Sequence, residues 1–589
     1  MISSRIYFYI CCVSTVLGLA IYANHLANPF QFDSVVFVEK NLDLHHPKNL
    51  FSLEFLKDEF LSRSFLRITM AWNAVLGGLN PFGYHLFNLL FHILNSILVF
   101  QTSLRIYRHL SRVGQDFSGK EFYYASCLTA ILFLCHPIQT ESVIYIASRS
   151  EILCGTFYLS IFLLFQVSLQ PENRLGFWVR WIVVPFIILP AFFLGYSIKQ
   201  SIITLPMMMF LYYLYGLPKT ARALQFIKRF WVVLTILTLF AGVALLFKLL
   251  SDEGFLIGPS QAGEIIGRKA YMLSQPGVVV FYYLKILIFP INLNIDPDIT
   301  KGTWSVSFFV ASTFILLILT CAFNNSLKRI TGFLTLWFFI VLSPSSSIIT
   351  LLDLAAEHRT YLSTFGFFCL QSLGLVLLTR RIKKNKNRRK IIISSVVVLI
   401  LLFSLASVER NYDWTSGLRL WEDTLKKSPN KTRPWMNVGH AHILLGNSDE
   451  ALQYYQKAID IDPYYFASQY NLGTLYEEKG DINQALYHYQ FALLIDPYVA
   501  EVNGKLGEIY MKKGEYETAE QFLKKAVERN PKYASAFRNL GVLHYYYLKN
   551  KIKALAFFKR SLMLDPSNSE NRLIRRLLAA EEGQRSQAR

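Results

Sequence analysis

Three kinds of side chain in this sequence could carry chemistry, and all of them lie beside or inside apolar runs. The first is a carboxylate, Asp33 in Asn28-Pro29-Phe30-Gln31-Phe32-Asp33-Ser34, a few residues beyond the first long apolar stretch. A carboxylate at a membrane surface can act as a general base toward a lipid-borne substrate, although an isolated Asp after a helix is more often a solvated loop residue. The second kind is cationic: Arg149, Lys199 and Arg359. The third is a scatter of Arg63, His85, His136, Glu141, Glu357 and His358. Ionisable groups inside apolar runs are expensive, so they line a cavity or pair with one another. Glu141 and Arg149 are close to one helical face by spacing, which suits an internal ion pair. The competing reading is a site where carboxylates serve as bases or metal ligands while Arg and Lys hold a phosphate. Lys199, in the tight turn Ser197-Ile198-Lys199-Gln200, and Arg359 suit such a clamp.

The elements that must position these groups are membrane helices. The chain has 589 residues, 53% of them hydrophobic and only 17% charged, which lies outside the soluble range. Several runs approach the length that spans the hydrocarbon core. Spans are expected at 6–23, 84–104, 122–135, 149–168, 178–194, 198–216, 230–250, 304–323, 330–350, 362–379 and 391–408, about eleven in all. The first run is expected to stay as an uncleaved anchor with a cytoplasmic N-terminus. Lys328-Arg329 and the basic block from Arg380 to Lys390 should be cytoplasmic. That places 251–303 outside, with the apolar piece 276–290 re-entrant or interfacial. The net charge of +20 lies mostly before residue 409, where it marks cytoplasmic loops rather than nucleic-acid binding. The seven cysteines, none beyond Cys369, form neither a disulfide framework nor a C-x-x-C metal pattern.

Beyond residue 409 a period of 34 residues sets in. It relates Gly439, Gly473, Gly507 and Gly541, then Gly446, Gly480 and Gly514, then Ala451, Ala485 and Ala519. Asp462-Pro463, Asp496-Pro497, Asn530-Pro531 and Asp565-Pro566 close successive units. A helix-turn-helix period of this length with small residues at the crossings is the tetratricopeptide (TPR) signature. The expected organisation is a membrane domain at 1–408, a linker or partial repeat at 409–431, four repeats at 432–568, and a capping helix and tail at 569–589. Such a stack presents a concave groove. By helical position the groove should display Arg433, Met436, His440, Tyr470, Glu477, Glu508, Arg538 and Tyr545, whereas Trp435, Tyr476 and Tyr510 belong to the core. The fold expected is all-α: a polytopic helical bundle followed by a TPR solenoid. There is no Walker loop, G-x-S-x-G, H-E-x-x-H or G-x-G-x-x-G.

A series of motifs runs in order along the chain. Phe32-Asp33 is followed by Asn41, then Arg63-Ser64-Phe65 and Asn73, then Gly77-Gly78-Leu79-Asn80-Pro81-Phe82-Gly83-Tyr84-His85-Leu86-Phe87-Asn88 with His92. Next come His136-Pro137, Glu141-Ser142-Val143, Ser148-Arg149-Ser150-Glu151-Ile152-Leu153, Ser197-Ile198-Lys199-Gln200 and Glu357-His358-Arg359-Thr360-Tyr361-Leu362-Ser363. Trp414 and Leu420-Trp421-Glu422-Asp423-Thr424-Leu425 lead into the repeats. In this order the chain resembles, over nearly its whole length, the transmembrane and TPR-repeat-containing O-mannosyltransferases and their bacterial relatives, of the GT-C glycosyltransferase class.

The resemblance implies an inverting integral-membrane transferase with an outward-facing site. The donor would be a polyprenyl-phosphate sugar in the membrane, the sugar mannose-like, and the acceptor the Ser/Thr hydroxyls of a polypeptide held in the TPR groove. Asp33 would be the base; Lys199, Arg149 and Arg359 would hold the donor phosphate; Arg63, His85, His136, Glu141, Glu357 and His358 would support the site. The chain departs from the family pattern at Ser34, where a second acid is usual, at Ser64 for a proline, and at Gln200 for a glutamate. These losses weigh against a divalent cation, and no cofactor is assigned. They also favour the alternative of a catalytically inactive, membrane-anchored TPR scaffold for envelope proteins. A transporter would show inverted symmetry and broken midplane helices, which the sequence does not display. Low cysteine and abundant lysine favour a bacterial inner membrane over the endoplasmic reticulum, with the repeats on the periplasmic or lumenal side.

Overall fold

The computed structural model describes residues 4–39, 44, 64–111, 119–169, 184–216, 268–299, 326–346, 351, 353–382, 385–566, 572 and 574–579. They form two compact units that meet in sequence between Ser428 and Pro429. Every regular element among them is helical.

The first unit is a bundle built around one long helix. Its elements are α1 (Ser4–Tyr22), α2 (Ser64–Gly77), α3 (Pro81–Ser111), α4 (Gly119–Cys135), α5 (Thr140–Ile144), α6 (Arg149–Ser168), α7 (Val184–Ile198), α8 (Leu205–Gly216), α9 (Arg268–Gly277), α10 (Leu284–Ile288), α11 (Ser326–Leu342), α12 (Thr364–Arg381), α13 (Lys386–Asp413) and α14 (Gly417–Lys427). Helix α3 packs against α1, α4, α6 and α11, and its polar side chains point inward. His92 Nδ1 lies 2.9 Å from the Tyr361 hydroxyl, and Asn95 donates to the Ile152 carbonyl at 2.9 Å and to Tyr361 at 3.0 Å. Polar groups in an apolar medium must find partners within the bundle, which fixes how α3, α6 and the start of α12 face each other. At Gly366 an added Cβ would collide with the Leu334 carbonyl, so only glycine lets α12 lie this close to α11.

Six described helices are long and apolar enough to cross a membrane, or seven if α4 and the bent piece Pro137–Ile144 count as one span. The bend of 52° follows from Pro137, which cannot donate to the preceding turn. The spans expected at 230–250 and 304–323 fall outside the described residues. The piece 276–290, expected to be re-entrant or interfacial, is part of a 19-residue apolar helix, Ala270–Ile288, which is long and apolar enough to cross a membrane. A π-helical turn at Val278–Tyr283 absorbs the irregularity after Pro276 and lets the helix continue.

The linker helix α14 belongs to the first unit. Lys427 Nζ donates to the Leu293 carbonyl at 2.8 Å, and the Ser428 hydroxyl donates to the Asp296 carbonyl at 2.9 Å while accepting from Asn294 Nδ2 at 2.7 Å.

The second unit is a TPR solenoid of four helix pairs: α15 (Thr432–Leu444) and α16 (Ser448–Ile461), α17 (Phe466–Glu478) and α18 (Ile482–Ile495), α19 (Ala500–Lys512) and α20 (Tyr516–Arg529), α21 (Ala534–Val542) and α22 (Lys551–Leu564). The periodic glycines face the partner helix of their own pair; a Cβ on Gly473 would meet the Tyr489 ring at 2.7 Å. Trp435, Tyr476 and Tyr510 are partly buried, Tyr476 stacking on His488 and Tyr510 on Phe522. The fourth repeat is one residue longer than the others. A π-helical turn at Leu543–Tyr547 and Lys549 at φ 53° take up the extra residue. Ile574 and Leu578 of the helical segment 574–579 close the stack against Phe558.

Candidate active site

After α1 the chain makes a 3-10 turn, Ala23–His25, and then the loop that carries Asp33. Asparagines sew this loop to the end of α13. Asn24 Nδ2 donates to the Val408 carbonyl at 3.2 Å and Asn28 Nδ2 to the Asn411 carbonyl at 3.3 Å, while Asn411 Nδ2 donates to Asn24 Oδ1 at 2.7 Å and to the Ile21 carbonyl at 2.8 Å. His85 Nε2 lies 3.1 Å from the Asn28 carbonyl, so this histidine holds the loop from below. Phe32 takes φ 53°, a left-handed conformation costly for an aromatic residue, and the next residue is Asp33.

Asp33 is exposed, and its Oδ2 accepts a hydrogen bond from the Tyr145 hydroxyl at 2.7 Å. Ser34 is buried, and its hydroxyl accepts from the Ala147 N–H at 3.2 Å. The Tyr145 ring lies between Phe32 and Trp414, each 5.6 Å away centre to centre, with the His358 ring at 6.3 Å. Glu141 holds His358 twice: Oε1 is 2.7 Å from its Nδ1, and Oε2 accepts its backbone N–H at 3.1 Å. Glu357 is fully buried next to this pair. Its Oε1 accepts from the Tyr282 hydroxyl at 3.1 Å and from the Asn294 N–H. Burial pushes its pKa up to about 8, against the opposing charge of Arg410 and with the like charge of Glu141. Arg410 is itself clamped by Asp423 at 2.9 Å and Asp413 at 3.0 Å.

The structure therefore gathers Asp33, Glu141, Glu357 and His358 into one region around Tyr145. The other candidates are placed elsewhere. Lys199 is ion-paired with Glu151. Arg359 donates to the Asp353 carbonyl at 2.8 Å. Arg149 is fully buried, with Nε donating to Asn88 at 2.9 Å and its terminal nitrogens to the Thr69 and Tyr84 carbonyls at 3.1 Å. Its guanidinium also lies 4.4 Å over the Phe87 ring. To bind a phosphate it would have to exchange those acceptors. It is not paired with Glu141, because the chain is extended at Tyr145 (φ −73°, ψ 104°), which breaks the helical register between them. His136 caps the turn at Pro137, accepting the Ile138 N–H at 3.2 Å, with its Nε2 3.2 Å from the Leu287 carbonyl. Arg63 lies outside the described residues. No group of three or more His, Cys, Asp and Glu side chains is placed to hold a metal among the described residues.

Sequence reasoning missed Tyr145, Asn411 and Arg410. Only the broken run between Pro137 and Ser148, a signal of irregular backbone beside long helices, could have pointed at Tyr145.

In the solenoid, His440 is exposed, while Tyr470 and Arg538 are half-buried. Glu477 is engaged by the next repeat: Lys505 and Lys512 lie 3.2 Å and 3.1 Å away, and the Tyr489 hydroxyl donates to it at 3.0 Å. Burial opposes its charge, but the two lysines outweigh burial and keep the carboxyl below its ordinary range. Glu508 pairs with Lys512 at 3.5 Å.

Family models for the tetratricopeptide repeat match residues 433–465, 454–487 and 477–540. Across a larger share of its length the chain is similar to proteins named protein O-mannosyl-transferase. It is 25% identical to TMTC3 of Mus musculus over 501 residues, covering 78% of this chain and 52% of that protein. The human TMTC3 is 24% identical over 79% of this chain and 53% of its own length, and the human TMTC4 25% identical over 64% and 55%. The resemblance read from the ordered motifs is thus borne out, and the chain spans about half the length of the curated relatives it matches. Among solved structures, a crystal structure of MamA is 20% identical with a TM-score of 0.24, covering 28% of this chain and 88% of that one. YrrB, described as a TPR protein with an unusual peptide-binding site, is 22% identical with a TM-score of 0.24, covering 35% and 97%.

Proposed function

We propose that this protein is an integral-membrane glycosyltransferase of the GT-C kind that moves a mannose-like sugar from a polyprenyl-phosphate donor to polypeptide Ser/Thr hydroxyls at the outer or lumenal face. The observation that carries the reading is Asp33: an exposed carboxylate with one oxygen bound to Tyr145, in a chain similar over most of its length to protein O-mannosyl-transferases. In an inverting displacement the acceptor oxygen bonds to the anomeric carbon as the bond from that carbon to the donor phosphate breaks. The hydroxyl proton passes to Asp33, and the electron pair leaves with the polyprenyl phosphate. Lys199 and Arg359 are the cations this reading assigns to the phosphate, neutralising charge that grows at the transition state. Arg149 would act indirectly, by holding the start of α6 to α2 and α3. The TPR unit would bind the polypeptide and raise its effective concentration.

The test is transfer from a radiolabelled polyprenyl-phosphate mannose to polypeptide in membranes that contain the whole protein. Asp33→Asn should lower transfer by about 10² to 10⁴-fold. Unchanged transfer would remove Asp33 as the base. A second reading, the inactive scaffold, is favoured by Ser34, whose hydroxyl is already committed to the Ala147 N–H and supplies no second acid. Donor binding without turnover by the unaltered protein would support it.

A further inference from the structure

We propose that Tyr145 is a positioning residue for Asp33: its hydroxyl occupies Oδ2 and leaves Oδ1 as the oxygen that meets the acceptor hydroxyl. The inference rests on the reading of Asp33 as the base and adds to it a residue that the motifs do not name.

Two adjacent residues of the loop are tied to one short turn. Tyr145 donates to Asp33 at 2.7 Å, and the Ala147 N–H donates to Ser34 at 3.2 Å. The two bonds hold the side chains of both residues against the same turn, and the Tyr145 hydroxyl fixes which Asp33 oxygen faces it. The Tyr145 ring is enclosed by Phe32 and Trp414, and Trp414 is buried at the end of α13. Hydrogen bonds that orient a base matter more than their strength suggests, because a misaligned proton acceptor loses the advantage of proximity.

Behind the Tyr145 ring lies His358, with Glu141 bonded to it.

The experiment compares unaltered protein, Asp33→Asn and Tyr145→Phe, each full-length in membranes, with polyprenyl-phosphate mannose and a polypeptide acceptor. Tyr145→Phe keeps the ring between Phe32 and Trp414, so the bundle should melt within a few degrees of the parent. Its kcat should fall about 10- to 100-fold with donor KM within about twofold, as expected for loss of a bond to a charged group. Parental kcat in Tyr145→Phe, with Asp33→Asn inactive, would overturn the positioning role and leave the base assignment standing. Full activity in Asp33→Asn would overturn both.

Discussion

Burial drives Glu357 toward its protonated form, outweighing a nearby cation and two hydrogen-bond donors that favour the charged one. Its pKa rises from 4.5 to about 8, burial outweighing the nearby Arg410. One oxygen accepts from Tyr282 and the Asn294 N–H, while the other has no hydrogen-bond partner among the described residues. A carboxyl whose folded pKa exceeds its unfolded value binds its proton more tightly in the folded chain. Its stabilisation is therefore complete below about 4.5 and is lost as pH rises through about 8. Glu357→Gln keeps an acceptor for both donors and removes the titration. In detergent, the melting temperature of the unaltered protein should decline across that window, and the Gln variant should not share the component due to Glu357. Parallel pH curves for the two proteins would show that Glu357 is ionised in the fold.

At the scale of elements, what the sequence shows depends on how local the deciding contact is. The TPR period was legible because each repeated glycine serves one contact within its own helix pair, as Gly473 does against Tyr489. The tie between Asp33 and Tyr145 was not, since it joins residues 112 apart and depends on the bend after His136. The spacing of Glu141 and Arg149 misled for a related reason. Helical phase holds only inside one helix, and the extended Tyr145 turns the two halves apart, sending Glu141 to His358 and Arg149 to Asn88. The parity of the charge rule sets the piece 276–290 outside the membrane and says nothing of local structure; a π-turn after Pro276 keeps Ala270–Ile288 one helix. The legible contacts also make the clearest stability prediction. Gly473→Val places branched carbons against a ring whose hydroxyl is held by Thr474 and Glu477. The ring cannot retreat freely, so the solenoid should lose about 1–3 kcal/mol, seen as a lower midpoint in denaturant. An unchanged midpoint would mean that α17 and α18 slide apart at no cost.

For the molecule as a whole, the side of the membrane that receives the repeats turns on a single helix. Counting spans from the N-terminus is fragile, because each added crossing, such as Ala270–Ile288, reverses everything after it. Helix α13 avoids the count. It is long and apolar enough to cross alone, and Ile391, Val397, Val398, Leu401, Leu402 and Leu405 stand exposed on its surface, as lipid-facing side chains would. Its first turn carries Lys386, Arg388, Arg389 and Lys390, the residues that the positive-inside rule retains in the cytoplasm. The chain that follows α13, including the repeats, should then lie on the opposite face, whatever number of spans precedes it. Cysteine labelling tests this directly, since the native cysteines all precede residue 370 and can be replaced. In sealed membranes of known orientation, Glu528→Cys should react with an impermeant maleimide from the outer face, and Arg389→Cys only after permeabilisation. Labelling of both from one face would mean that α13 does not cross, and the proposed TPR capture of acceptors on the side of Asp33 would have to be abandoned.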